Sequence, residues 1–208
     1  MSRFVITIAR GYGSGGRTIG KMLAEDMGVN FYDKEILRLA SDDSGINEET
    51  FAKSDEKLKK TTLYRVAKNV YKGEGLSDYS NYVSEDSLFN YQAKVLRELA
   101  LRESYVVIGR CADYILSDMQ NVIKIFVHAP LSQCIDVVAN KSPMTRGEIE
   151  QFILKTDAYR AQYYFHHTGR AWNDARNYDI CLNTKGLTFE KSVDVLKNYI
   201  NIYNLTKK

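Results

Sequence analysis

Residues 4–28 read FVITIARGYGSGGRTIGKMLAEDMG, and the order of residue types in this stretch decides the fold class. Phe4 to Ala9 is a short, β-branched apolar run that stops at a glycine cluster, the pattern of a buried strand. Thr18 to Met27 places Ile19, Met22, Leu23 and Met27 on one helical face, with Gly28 at the stop. Between them, residues 11 to 18 fit G-x-x-x-x-G-[K]-[ST] with Arg17 at the lysine position. Glycine lets successive backbone N–H groups curl around an anion without a Cβ in the way. The helix that follows adds the positive end of its dipole. Gly11, Gly13, Ser14, Gly15, Gly16, Arg17 and Thr18 are therefore candidate ligands of a triphosphate. In this reading Arg17 reaches the β/γ-phosphates and the Thr18 hydroxyl ligates Mg²⁺.

Two other readings of the loop stand beside this one. The first is a tight glycine turn with no ligand. The second is a dinucleotide site, because Gly11, Gly13 and Gly16 also match G-x-G-x-x-G. Its acidic partner would be Asp33, which comes early for that role, and Arg17-Thr18 is better explained by phosphates. Arginine is planar and not interchangeable with lysine, yet it pairs bidentately with phosphate oxygens.

Outward from the loop, Val29 to Tyr32 reads as a second strand and Asp33 to Ala40 as a short helix. Ser41 to Ser84 is polar, with a lysine run from Lys57 to Lys60 that reads as a solvated helix face; it is expected to hold helical pieces and a flexible loop. Glu85 to Glu103 resumes a firm helix with Leu88, Tyr91, Val95 and Leu99 in register. Tyr105–Ile108, Val122–His128 and Tyr178–Leu182 read as strands. Ala112–Leu116, Leu131–Asn140, Arg146–Phe165 and Thr188–Tyr203 read as helices, the last with Val193, Leu196, Ile200 and Tyr203 inward. Strands alternating with helices predict an α/β fold with a mainly parallel sheet covered on both faces.

The 208 residues suffice for one such domain with a sizeable core. A hydrophobic content of 44% and a charged content of 26% exclude a disordered chain. A net charge of +3 is too small to argue for nucleic acid as the main partner. No run approaches the roughly 18 apolar residues of a membrane helix, and the first residues lack a signal-peptide pattern. The expectation is a cytoplasmic protein acting on small molecules. Cys111, Cys134 and Cys181 lack metal spacing and read as buried free thiols.

Four segments together, GYGSGGRTIG (11–20), FYDKEIL (31–37), VVIGRCADYIL (106–116) and DAYRAQYYFHHTGRAWNDARNYDICLNT (157–184), resemble the cytidylate kinase-like family, a bacterial branch of the P-loop nucleoside monophosphate kinases. The resemblance covers nearly the whole chain and is weakest over 41–84. It implies one P-loop kinase-like domain, a three-layer α/β fold about a five-stranded parallel sheet with helices on both faces, with a helical monophosphate-binding insertion near 41–84 and a lid near 141–176. It implies ATP with Mg²⁺ as donor and a nucleoside monophosphate, CMP or dCMP or another pyrimidine, as acceptor. Asp33 would begin the acceptor pocket, or serve as a helix N-cap. Arg110 would grip the acceptor phosphate, or form a surface salt bridge. Asp157 and Arg160, three apart and on one helical face, would match the D-x-x-R of the acceptor region, or be a surface ion pair. The resemblance assigns catalysis to Arg17, Arg110 and Arg160. Two positions depart from the family pattern. Cys111 stands where a cytidylate kinase typically has aspartate, and Ile153 stands where it has an arginine four residues before the aspartate. Two further readings remain: a kinase of the same fold acting on another small acceptor, and a nucleotide-binding regulatory protein with little turnover. Tyr163, Tyr164, His166 and His167 form an aromatic cluster, read as helix packing or as a base-stacking surface.

Overall fold

The structure is a computed structural model whose described residues are 3–33, 61–73 and 85–206. In chain order the elements are β1 (Val5–Arg10), α1 (Gly16–Met27), β2 (Asn30–Tyr32), α2 (Thr62–Gly73), α3 (Glu85–Ala100), β3 (Tyr105–Ile108), α4 (Ala112–Ile115), β4 (Val122–His128), α5 (Leu131–Ala139), α6 (Arg146–Thr168), β5 (Ile180–Asn183) and α7 (Phe189–Thr206). Of the expected helix from Asp33 to Ala40 only Asp33 is described, and the lysine run at 57–60 lies outside the described residues.

The five strands form one sheet in the order β2-β3-β1-β4-β5. β1 sits centrally and pairs in parallel with β3 (Ile6 opposite Val106) and β4 (Ile6 opposite Ile123). β5 extends the sheet in parallel beyond β4, with Phe126 opposite Cys181. The expected α/β fold with a five-stranded parallel sheet is what the chain adopts. Central parallel strands are buried on both faces, hence the near-continuous apolar runs of β1, β3 and β4. α1 covers the face from which Ile8 and Ile108 project. It approaches so closely that a Cβ on Gly20 would lie 2.7 Å from Ile108 Cδ1 and 2.9 Å from Ile8 Cδ1. The opposite face carries Ala9, Phe126 and Tyr178 with Trp172 against them.

The chain divides into two compact units, residues 1–4 with 32–104, and residues 5–31 with 105–208. In the first, α2 and α3 bury Leu63, Val66 and Ala67 together with Tyr91, Val95, Leu96 and Leu99. The Tyr91 hydroxyl donates to the Ala67 carbonyl at 2.9 Å, satisfying a polar tip inside that apolar contact. The second unit holds the glycine-rich loop and is described below.

Several boundaries move by a few residues. α1 begins at Gly16 rather than Thr18, β5 is Ile180–Asn183 rather than Tyr178–Leu182, and α6 runs three residues past Phe165. Ahead of β5, Tyr178 belongs to the apolar cluster with Ala9 and Phe126. Asp179 fixes the strand's entry, its carboxylate accepting from Lys124 N–H at 2.7 Å. The thiols are a correction: Cys111 and Cys134 are buried as expected, but Cys181 is exposed, because it lies on an outward position of β5. Among the described residues no helix is long and apolar enough to cross a membrane.

Candidate active site

The glycine-rich loop joins β1 to α1, and three of its glycines have no room for a side chain. Gly13 and Gly15 sit in the left-handed region, φ 78° and 84°. A Cβ on Gly13 would lie 2.8 Å from both Cβ and O of Cys134, and one on Gly15 would lie 2.6 Å from a Phe189 ring carbon. A Cβ on Gly16 would meet Arg10 Cβ at 2.6 Å and Val127 Cβ at 3.1 Å. The packing behind the loop, rather than the space inside it, is what requires glycine at these positions. The loop is also braced by polar contacts. Ser14 is buried, and its hydroxyl donates to the Gly11 carbonyl at 2.8 Å. Gly11 N–H donates to the Val127 carbonyl at 3.0 Å, and the buried Thr184 hydroxyl donates to the Ser14 carbonyl at 3.0 Å. Gly15 is the N-cap of α1 and has no side chain to cap it, while the Ser14 hydroxyl accepts the Gly16 N–H at 3.4 Å.

In front of the loop lies a cleft of about 510 Å³ lined by Arg10, Tyr12, Arg17, Thr18, Phe152 and Arg160, among others. Four of the loop glycines, Gly11, Gly13, Gly15 and Gly16, complete that side. The facing wall comes from the end of α5 and the segment after it, Val137, Val138, Lys141, Ser142 and Met144. The cleft thus combines a concave backbone surface at a helix N-terminus, three arginines and a lysine, and an apolar side. Such a surface suits a polyanion joined to a flat apolar group.

α6 supplies the side of the site that faces the loop. It starts with a capping box, Thr145 with Glu148, and ends at Gly169 in the left-handed conformation. Its inward stripe follows i, i+4, i+3 spacing through Ile149, Ile153, Asp157, Arg160 and Tyr164. The lower part is apolar: Ile149 and Ile153 are buried against Cys134 and Ile135 of α5, with Tyr12 packed on them. The upper part turns polar where it reaches the loop. Asp157 accepts the Tyr12 N–H through both oxygens, at 2.9 and 3.1 Å. Arg160 Nη1 donates to Asp157 at 2.9 Å and to the Arg10 carbonyl at 3.1 Å. The pair therefore grips the peptide groups on both sides of Gly11. The guanidinium also sits 5.4 Å from the Tyr12 ring centroid, within cation–π range, and Tyr12 in turn meets Phe152 edge-on at 5.1 Å. Burial pushes the Asp157 carboxyl up, while the Tyr12 N–H and Arg160 pull it back down.

A second turn follows β3. Gly109, Arg110 and Cys111 are consecutively left-handed, with φ 67°, 64° and 53°. For Arg110 and Cys111 this conformation costs about 1 to 2 kcal/mol each. Gly109 N–H donates to the Ile8 carbonyl at 2.9 Å, and a Cβ on Gly109 would lie 2.4 Å from Arg10 Nη1. The turn therefore abuts the arginine that lines the cleft. Burial, with the Asp113 charge behind it, pushes the Cys111 thiol up to about 12 despite the neighbouring Arg110. Cys111 is a neutral thiol at pH 7 and no nucleophile.

The structure thus gathers Gly11, Gly13, Gly15, Gly16, Arg17, Thr18 and Arg160 around one cleft. Ser14 stands behind the loop, Asp157 braces it from α6, and Arg110 sits in the turn beside Arg10 without lining the cleft. Asp33 is buried in the first unit. Of the aromatic cluster only Tyr164 is buried; Tyr163 packs edge-on against His167 at 4.4 Å between ring centroids, and His166 is exposed. Arg10, Tyr12, Lys141, Met144 and Phe152 were not singled out from sequence. Arg10 carried a signal, since the strand run could be extended by one residue into the loop.

A model of the cytidylate kinase-like family matches residues 5–186. No curated protein matches the chain. Among solved structures, an uncharacterized protein from Eubacterium ventriosum ATCC 27560 is similar at 25% identity and a TM-score of 0.71, over 96% of this chain and 99% of that one. A shikimate kinase from Bacteroides thetaiotaomicron is similar at 17% identity and a TM-score of 0.53, over 95% and 98% of the two chains. A gluconokinase from Sinorhizobium meliloti 1021 is similar at 16% identity and a TM-score of 0.52, over 98% of each chain. At these identities the two kinases share the P-loop kinase fold with this chain.

Proposed function

We propose, from the premise that the chain belongs to the cytidylate kinase-like family, that it transfers the γ-phosphoryl group of ATP to a nucleoside monophosphate, a pyrimidine nucleotide such as CMP or dCMP. The observation that carries this reading is the cleft itself: a glycine cradle at a helix N-terminus, with Arg17, Thr18 and Arg160 on its rim. The cradle's residue types fit a triphosphate with Mg²⁺. The loop N–H groups and Arg17 would hold the phosphates, and the Thr18 hydroxyl would take a place on the metal. Mg²⁺ supplies neutralisation of phosphate charge when bound.

No general base is needed, because a monophosphate oxygen is already a nucleophile. A bond forms from that oxygen to the γ-phosphorus as the bond to the β–γ bridging oxygen breaks, and ADP leaves with the electron pair. The protein's work is alignment and charge stabilisation. Arg17 would hold the transferring group, Arg160 would meet its developing charge, and Arg110 would receive the acceptor phosphate, with Asp33 at the start of the acceptor pocket. Asp157 would keep Arg160 and the loop in one geometry. The insertion near 41–84 would help bind the monophosphate and the segment near 141–176 would close over the site, in a cytoplasmic enzyme.

A second reading, a kinase of the same fold acting on another small acceptor, is favoured by Ile153. This side chain is buried against α5 in the position where a cytidylate kinase carries an arginine, so that acceptor contact is missing. A coupled ADP-release assay with ATP–Mg²⁺ and every common nucleoside monophosphate separates the two. Fastest turnover with CMP or dCMP supports the first. Turnover of no monophosphate overturns it.

A further inference from the structure

Beside the left-handed turn at Gly109–Cys111 lies a buried polar contact whose residues do not line the cleft. Directly after the turn, the single-turn helix α4 carries Asp113, which is buried, and its carboxylate accepts the hydroxyl of the equally buried Tyr164 at 2.6 Å. Tyr164 is on α6, one turn beyond Arg160 and on the same inward stripe. A second tie lies beside the first: the Arg170 guanidinium, just past the end of α6, sits 5.3 Å from the ring centroid of Tyr114. α4 is in turn bonded back onto the turn. Ala112 N–H donates to the Gly109 carbonyl at 3.2 Å, and Tyr114 and Ile115 N–H donate to the Cys111 carbonyl at 3.0 and 2.9 Å.

Two non-glycine residues in the left-handed region persist only where their surroundings over-determine them. Here the surroundings are α4, and α4 is fixed to α6. The same helix grips the glycine-rich loop through Asp157 and Arg160. One rigid element therefore reaches both strand ends at which the reaction would take place.

We propose that Asp113 and Tyr164 are positioning residues that hold the Gly109–Cys111 turn left-handed and so aim Arg110 at the acceptor phosphate. This rests on the reading of Arg110 as the acceptor-phosphate ligand. Tyr164→Phe keeps the ring and removes the donor. The acceptor KM should then rise about tenfold or more, the scale on which small misplacements act, while kcat at saturating acceptor and ATP-analogue affinity stay near wild type. In an Arg110→Ala background Tyr164→Phe should add nothing to KM, because its effect passes through Arg110. Asp113→Asn keeps an accepting oxygen and should restore most of the acceptor affinity that Asp113→Ala loses. A merely structural bond would lower Tm equally in both backgrounds and leave KM alone.

Crystal structures of wild type, Tyr164→Phe and the double variant Asp113→Leu/Tyr164→Phe test the inference without any turnover. The double variant replaces both partners by apolar groups, which keeps the fold while removing the tie. The expected result is that Arg110 and Cys111 leave the left-handed region in both variants. A turn that stays left-handed in them overturns the inference. If Arg110→Ala leaves the acceptor KM unchanged, it is the reading of Arg110 that fails, and the crystal structures still decide what holds the turn.

Discussion

The two turns at the ends of β1 and β3 solve the same geometric problem with different residues. After β1, the left-handed positions are Gly13 and Gly15, and Cys134 and Phe189 press against them so closely that no Cβ fits. After β3, only the first left-handed position is glycine; the next two are Arg110 and Cys111. The first turn lines the cleft with glycine, that is, with backbone. The second carries arginine where glycine would be easier and has α4 bonded back onto it; the role proposed for Arg110 is what would require a side chain there. The comparison teaches that glycine marks a surface built from backbone, whereas a strained non-glycine residue marks a side chain that must point one way.

The largest effect should come from forcing a side chain into the first turn. Gly13→Ala combines a positive φ with a clash against the Cys134 backbone, so it should destabilise the protein by about 2 kcal/mol or more and abolish binding of a non-hydrolysable ATP analogue. Urea unfolding and titration calorimetry measure both. Near-wild-type stability would show that the loop is looser than its packing implies.

Next comes Arg160, the link between helix and loop. Arg160→Ala should lower kcat by about 10²-fold, the scale of one transition-state donor. It should also weaken ATP-analogue binding, because Nη1 holds the Arg10 carbonyl. Asp157→Asn, which can still accept the Tyr12 N–H, should show a milder loss in the same steady-state kinetics. Wild-type kcat in Arg160→Ala would leave the pair as a structural brace alone.

These residues also show what could be read from sequence. The strands of the sheet and the glycine-rich loop were legible because β-branched runs and glycine spacing are local signals. Asp157 and Arg160 were legible as a pair sharing a face. Their target was not, because the Tyr12 and Arg10 peptides are about 150 residues away and the contact is tertiary. The apolar wall of Val137, Val138 and Met144 was hidden for the same reason. α6 carries exposed Phe152, Leu154, Tyr159 and Phe165 as well as its buried stripe, so periodicity alone could not say which side faces inward. Sequence starts α1 two residues late, at Thr18, because Gly16 and Arg17 read as loop, although Gly15 is the N-cap residue.

Arg110 sharpens the comparison at smaller scale. Arg110→Gly accepts the left-handed conformation freely, whereas Arg110→Ala does not. Arg110→Gly should therefore be the more stable of the two by about 1 kcal/mol, while both lose acceptor affinity alike. Equal stability in urea unfolding would mean that the turn is not strained. At Arg17, lysine should retain most of the activity that alanine loses, since it reaches the same oxygens. Equal damage in both variants would move Arg17 away from the phosphates. The smallest effect should be at Arg176, whose guanidinium is exposed and paired with Asp174 two residues away. Arg176→Ala should leave both Tm and kcat unchanged, as exposed ion pairs usually do.

The central claim is that the cleft in front of residues 11–18 is the donor site of a phosphotransferase whose acceptor is a nucleoside monophosphate. Its most direct test is the formation of ADP and a nucleoside diphosphate from ATP–Mg²⁺ and each monophosphate, run in parallel on wild type and Arg17→Ala. The account predicts stoichiometric ADP and diphosphate from wild type with a pyrimidine monophosphate, and a large loss in Arg17→Ala. Wild-type protein that binds ATP but forms no diphosphate from any monophosphate, or an Arg17→Ala variant as fast as wild type, would contradict it.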